Sequence, residues 1–276
     1  MIISETNNAL IEYKNLLEFC KTLSYKKNDV RLEFFKFMRS VLGRFYIGFA
    51  NMDFVKEIND KRLCADIIQN SENYKNLVSI CFVDEKYQTY FHDLSRQFII
   101  DSWSVFELTV TQLLDSLLDE NSKNEFLNKE YNQIKSILVE NDFVEKEKVF
   151  KLLKNGGLKK DHITHQPITR RYDKLFSIIK INYQREIIKD KEFLKFLGAF
   201  RNGLHYNFVY SGNNFEFKLR DLNFKFINND LIRVPDKPWE LEVVHELIEI
   251  CKEIFKCIDN KFIESKLITP PNKGCI

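Results

Sequence analysis

Arg201 and His205 lie four residues apart in the segment Phe200-Arg201-Asn202-Gly203-Leu204-His205-Tyr206-Asn207. In a helix that spacing puts them one turn apart on one side. The pair suits phosphate-ester chemistry. A guanidinium stays charged and grips phosphate oxygens with a planar fork. An imidazole titrates near neutrality and moves a proton in either direction. RNA brings its own nucleophile, the 2′-hydroxyl, so charge stabilisation and proton transfer suffice to break its backbone. The competing assignment is structural. Arg201 would pair with a carboxylate on a neighbouring helix, and His205 would sit on the helix C-terminus.

The element that positions the pair is predicted as a helix over roughly 191–205. At 100° per residue, Phe193, Leu197, Phe200, Leu204 and Phe208 fall within about 80° of one another as a core stripe. Arg201 and His205 lie on its shoulder. Gly198 lies one turn before Arg201 and removes bulk there, so something can approach closely.

The chain around it reads as mostly helical. Its 276 residues include 8 Gly and 5 Pro, about 5% together, where about 12% is usual. Apolar residues recur at helical spacing from Leu10 to Leu23 and from Val30 to Phe45. A shorter helix is expected around Arg62–Gln69, and 76–83 is ambiguous between helix end and strand. The longest pattern runs from Tyr87 to about Asp119 and crosses no Gly or Pro. Helices near 125–139 and 143–154 follow, ending at Gly156-Gly157. Residues 155–168 read as a loop, and Thr169 is placed to cap a helix to about Asn182. After His205 the period changes to two, with Phe215, Phe217 and Leu219, then Phe224 and Phe226. Asn228-Asn229-Asp230 reads as a turn before 231–234. Pro238 fits the first turn of a final helix reaching Phe262.

The expected fold class is therefore all-α, a helical bundle with a small antiparallel β-hairpin at about 213–234. Residues 1–84 form an N-terminal helical extension, 85–263 the main domain, and 264–276 a C-terminal tail.

Forty-two basic and 40 acidic residues leave a net charge of +2, which gives no global attraction for nucleic acid. Any such binding must be local. Lys159, Lys160, Arg170 and Arg171, beside Lys151 and Lys154, make a basic stretch able to track an RNA backbone. The plainer assignment is a solvated loop. His162-x-x-His165 has metal-ligand spacing without a third ligand nearby, so no metal or cofactor is expected. Asp115, Asp119 and Glu120 bunch near a helix end and are assigned to the surface. Glu107 is either an exposed charge or a carboxylate facing Arg201, and Trp103 is assigned to the core. G-x-G-x-x-G, G-x-x-x-x-G-K-[ST] and G-x-S-x-G are all missing, which argues against common nucleotide enzymes and hydrolases. Six cysteines without C-x-x-C spacing, and an N-terminus without a basic-then-apolar start, predict a cytoplasmic chain with reduced thiols, and no uncharged apolar stretch approaches the roughly 18 residues of a membrane span, so none is expected.

Arg201-Asn202-Gly203-Leu204-His205, near the end of a helix in an all-α chain, resembles the HEPN superfamily over roughly 85–263. Members share an Arg-polar-x-x-x-His type motif on a bundle helix, with Asn common after the Arg. In this chain three residues separate Arg from His, fewer than the family usually has. The resemblance implies metal-independent endoribonuclease activity that leaves a 2′,3′-cyclic phosphate. It implies bacterial settings such as toxin–antitoxin systems, antiviral defence or stress response. Arg201 would stabilise phosphate charge, Asn202 would orient the pair, and His205 would be the acid/base. Active members combine two motifs, so one motif implies a homodimer through the Gly198/Arg201/His205 helix. An antitoxin or regulatory protein is a further implied partner. The alternative is a catalytically inactive helical binding or adaptor module for nucleic acid or a protein partner.

Overall fold

A computed structural model describes residues 2–61, 71–79, 86–236, 238–258 and 262–265. The helix expected around 62–69, the segment 80–83 and the tail beyond 265 lie outside these residues.

The described elements are α1 (Ile2–Thr22), α2 (Val30–Lys61), α3 (Glu72–Val78), α4 (Lys86–Leu117), α5 (Glu120–Glu140), α6 (Lys146–Asn155), α7 (Ile168–Ile179), α8 (Ile187–His205), β1 (Phe215–Leu219), β2 (Leu222–Phe226) and α9 (Glu240–Lys256). The fold is a helical bundle carrying one small antiparallel hairpin. Among the described residues no helix is long and apolar enough to cross a membrane.

Helix α4 is the axis, with α2, α7, α8 and α9 packed around it. Its buried residues include Phe98, Ile99, Ser102, Trp103, Phe106, Thr109, Val110, Thr111, Leu113 and Leu114, which occupy more than one face. That is the pattern of a helix enclosed on several sides. Facing it, α2 buries Phe34, Phe35, Met38, Val41, Leu42, Phe45 and Phe49 at i, i+3, i+4 spacing, and the rings of Phe45 and Phe98 stack 4.1 Å apart. Residues of α1 and α2 join the same hydrophobic cluster as the remaining helices.

Helix α4 stops two residues before the expected Asp119. The reason is local: the Asp119 carboxylate accepts the Ser122 N–H at 2.7 Å and caps α5. A carboxylate ill-placed at a helix C-terminus is thus favourably placed at the next N-terminus. Pro238 precedes rather than enters the last helix, whose N-cap is Trp239.

The hairpin pairs Phe215 with Phe226, Phe217 with Phe224 and Leu219 with Leu222. Its turn falls at Arg220, which adopts φ 55°, and neither Gly nor Pro marks it. The expected turn at 228–230 is present as well, with Asn229 at φ 60°. It folds Arg233 back onto Lys225 through two backbone bonds of 3.0 Å. Phe196 of α8 stacks on Phe217 at 4.3 Å and touches Phe224 at 4.7 Å. Helix α8 is therefore sandwiched, and it buries Phe196 in addition to Phe193, Leu197, Phe200 and Leu204.

Candidate functional site

Helix α8 ends where the motif ends. The Phe208 N–H donates to the Gly203 carbonyl at 2.8 Å, and Asn207 adopts φ 53°. This is a Schellman stop, with Asn in the left-handed position that glycine most often fills. Phe208 follows at φ 66°, so two adjacent non-glycine residues turn the chain sharply away. The turn lets Ile232 donate its N–H to the Phe208 carbonyl at 2.8 Å, and it fixes Val209 and Tyr210 beside the helix end.

The five-residue motif divides by face. Gly203 and Leu204 are buried. A Cβ on Gly203 would stand 2.3 Å from the Ile232 side chain, so glycine permits that approach. Arg201, Asn202 and His205 line one cleft of about 990 Å³, whose edge the Gly203 backbone also reaches. Trp103, Glu107, the first turn of α7, Tyr172, Lys195, Gly198, Tyr206 and Tyr210 complete its walls. His205 and Asn202 are exposed, while Arg201 is half-buried. Arg201 Nη1 donates to Asn202 Oδ1 at 3.1 Å, and its buried Nε has no hydrogen-bond partner among the described residues.

Glu107 shares this cleft yet does not hold Arg201. Its Oε1 accepts from Arg171 Nη2 at 2.6 Å, and Arg171 Nη1 also reaches Thr111 Oγ1. The carboxylate is thereby neutralised from inside the bundle. Lys195, Arg201 and His205 are left to set the polarity of the cleft. Burial pushes the Tyr172 phenol up to about 12, with the Asp173 charge adding to it, so it stays a neutral hydroxyl.

The basic stretch is not part of this cleft. Arg171, expected among the RNA contacts, is buried, because its guanidinium answers Glu107 and Thr111 in the interior. Arg170 is bound to Glu130 and to Gln166, each at 2.8 Å, and lies over the Phe126 ring. Lys160 donates to the His165 carbonyl at 3.0 Å, and Lys159 is exposed. The rings of His162 and His165 meet edge to face at 5.4 Å. Among the described residues no third His, Cys, Asp or Glu joins them. Asp115 pairs with Lys123.

Gly198 needs a different explanation from the expected one. A Cβ there would meet the Trp103 indole at 3.2 Å, so the missing side chain accommodates this chain's own tryptophan. Lys195, Tyr172, Tyr206 and Tyr210 are cleft residues that sequence reasoning missed. Lys195 was within reach, since it precedes Gly198 by three and Asn202 by seven residues, the spacing of one helix face. Tyr172 and Tyr210 come from other elements and left no such signal.

No family model matches the chain, and neither a curated protein nor a solved structure is significantly similar to it.

Proposed function

We propose that the chain is a HEPN-like endoribonuclease acting by metal-independent transesterification. The observation that carries this reading is that Arg201, Asn202 and His205 line one open cleft, while Leu204 is buried in the core. Arg201 is held by Asn202 and keeps Nε free of any hydrogen bond among the described residues. The first turn of α7 adds a helix N-terminus to the wall, where partial positive charge favours phosphate.

The reaction follows from these groups. The 2′-hydroxyl attacks the adjacent phosphorus as His205 relays a proton from that hydroxyl towards the departing 5′-oxygen. The bond to the 5′-oxygen breaks, leaving a 2′,3′-cyclic phosphate and a 5′-hydroxyl. Arg201 stabilises the negative charge on the pentacoordinate phosphorus, where it is worth most. Lys195 holds a flanking phosphate. RNA is the proposed partner, and cleavage of cellular RNA fits a role in bacterial defence or stress under an antitoxin or other regulator.

The test is incubation of the purified chain with a mixed pool of labelled RNAs in EDTA, beside Arg201→Ala and His205→Ala. Cleavage by the parent alone, with cyclic phosphate ends, supports the assignment. Full cleavage by both variants, or products ending in a simple 3′-hydroxyl, overturns it.

A further inference from the structure

Helix α5 breaks at Asn128, whose backbone leaves helical geometry at φ −116° and ψ 19°. Phe126 and Leu127, just before the break, are buried. Beyond it none of residues 128–162 is buried. The second half of α5 and all of α6 thus form a projecting helical arm. Its root is fastened at the break, where Asn128 Oδ1 accepts the Lys160 N–H at 2.9 Å and the Leu127 carbonyl accepts from Gln166 Nε2 at 2.8 Å. The two helices of the arm touch through Tyr131 and Phe150, whose rings lie 6.5 Å apart.

The arm carries more apolar surface than its own seam uses. Val144 is 100% exposed and Leu152 69%, and Ile137, Val139 and Phe143 are exposed with them. Such a concentration on one projection marks a surface that meets a partner. Charge along the arm is polarised. Residues 140–147 hold four carboxylates (Glu140, Asp142, Glu145, Glu147) against one lysine, Lys146. Residues 148–160 hold five lysines and no carboxylate. Asp142 and Glu145 are paired within the arm, to Lys146 and Lys148. Glu147, Lys151 and Lys154 make no ion pair among the described residues.

We propose that the arm docks on the arm of a second copy of this chain, antiparallel across a two-fold axis. Antiparallel pairing sets each acidic tip on the partner's lysine-rich root, whereas parallel pairing would set like on like. An isologous contact needs a self-complementary patch, and a surface acidic at one end and basic at the other supplies it. The apolar residues supply the contact area, and the charges supply orientation. A nucleic acid would be drawn to the root, repelled by the tip, and would leave Phe143 and Val144 uncovered. This inference does not depend on the proposed activity.

The experiment is sedimentation velocity of the full chain over a dilution series. Five samples are compared: the parent, Lys151→Glu with Lys154→Glu, Glu140→Lys with Glu147→Lys, an equal mixture of these two variants, and Val144→Ser with Leu152→Ser. The parent is expected to associate reversibly. Each charge-reversed variant should dissociate at concentrations about tenfold higher or more, which corresponds to about 1.4 kcal/mol. The mixture should recover association, because both tip–root contacts are then restored. Val144→Ser with Leu152→Ser should weaken association without rescue by any mixture. Unchanged thermal midpoints verify folding, as expected of an arm with no buried residue. A parent that is monomeric throughout, or a dimer indifferent to all these variants, overturns the proposal. So does loss of RNA binding in the lysine variant while the parent stays monomeric, which would assign the arm to nucleic acid.

Discussion

The indole of Trp103 lies 3.2 Å from the point where a Cβ on Gly198 would stand, so α4 and α8 close on each other at a glycine. Trp103 is buried there and packs on Phe106 at 5.2 Å. A β-branched residue at 198 has to push against the indole where both residues form the cleft wall. Gly198→Val is expected to destabilise by about 1 kcal/mol, the low end of what overpacking costs, because the site borders the cleft. Denaturant unfolding measures the loss, and the association state of the parent should persist in the variant. A Gly198→Val chain of full stability would mean that the indole is loosely held.

Arg171 and Glu107 form an inward ion pair at 2.6 Å, with side-chain exposures of 7% and 31%. Removing one member strands the other. Arg171→Ala should lower stability by about 3 kcal/mol, somewhat less than for a fully buried pair because Glu107 is partly solvated. It should also reduce activity, since the freed carboxylate would add negative charge to the cleft beside Arg201. Thermal melts and RNA cleavage, read together, check this. Weaker RNA affinity without a change in melting would return Arg171 to the surface role read from the sequence.

Helix α1 is tied to α9 by Glu12 and His245, 3.2 Å apart. The hydrogen bond to Glu12 raises His245 above its usual 6.5, partial burial opposing, with Glu249 adding to the rise and Lys252 offsetting it. The same hydrogen bond lowers Glu12 below its usual 4.5. The histidine contribution is full below about 6.5 and fades as pH climbs through its raised value. The glutamate contribution is full above about 4.5 and fades as pH falls through its lowered value. The pair therefore helps most between these limits, by under about 1 kcal/mol for partly exposed groups. Melting of the parent and His245→Gln across pH should differ most near pH 5–6 and converge above about pH 8. A constant difference would mean that the contact does not titrate.

Helix α8 shows how far the sequence carries. Its C-terminus at His205, its buried Phe193, Leu197, Phe200 and Leu204, and the hairpin after it were all legible, because each follows from a local period or a local turn. Phe196 was not. It is buried only because β1 and β2 fold back over a second face of the helix. The turn at Arg220 was equally hidden, since it lacks the glycine or asparagine that usually announces one. On the site, the shared side of Arg201 and His205 was readable from spacing. The cleft they line was not, because its opposite walls come from α4, α7 and the segment after α8.

By itself the sequence determined that this is a helical chain with one hairpin, and that Arg201, Asn202 and His205 stand together at a helix end. Those are consequences of backbone periodicity, which acts over a few residues. The tertiary structure decided what each face meets. It gave Gly198 to Trp103, drew Arg171 inside to Glu107, and left none of residues 128–162 buried. Periodicity tells which way a side chain points along its own helix. Whether it points at water, at a tryptophan or at an opposite charge depends on helices distant in sequence, and only packing brings those together.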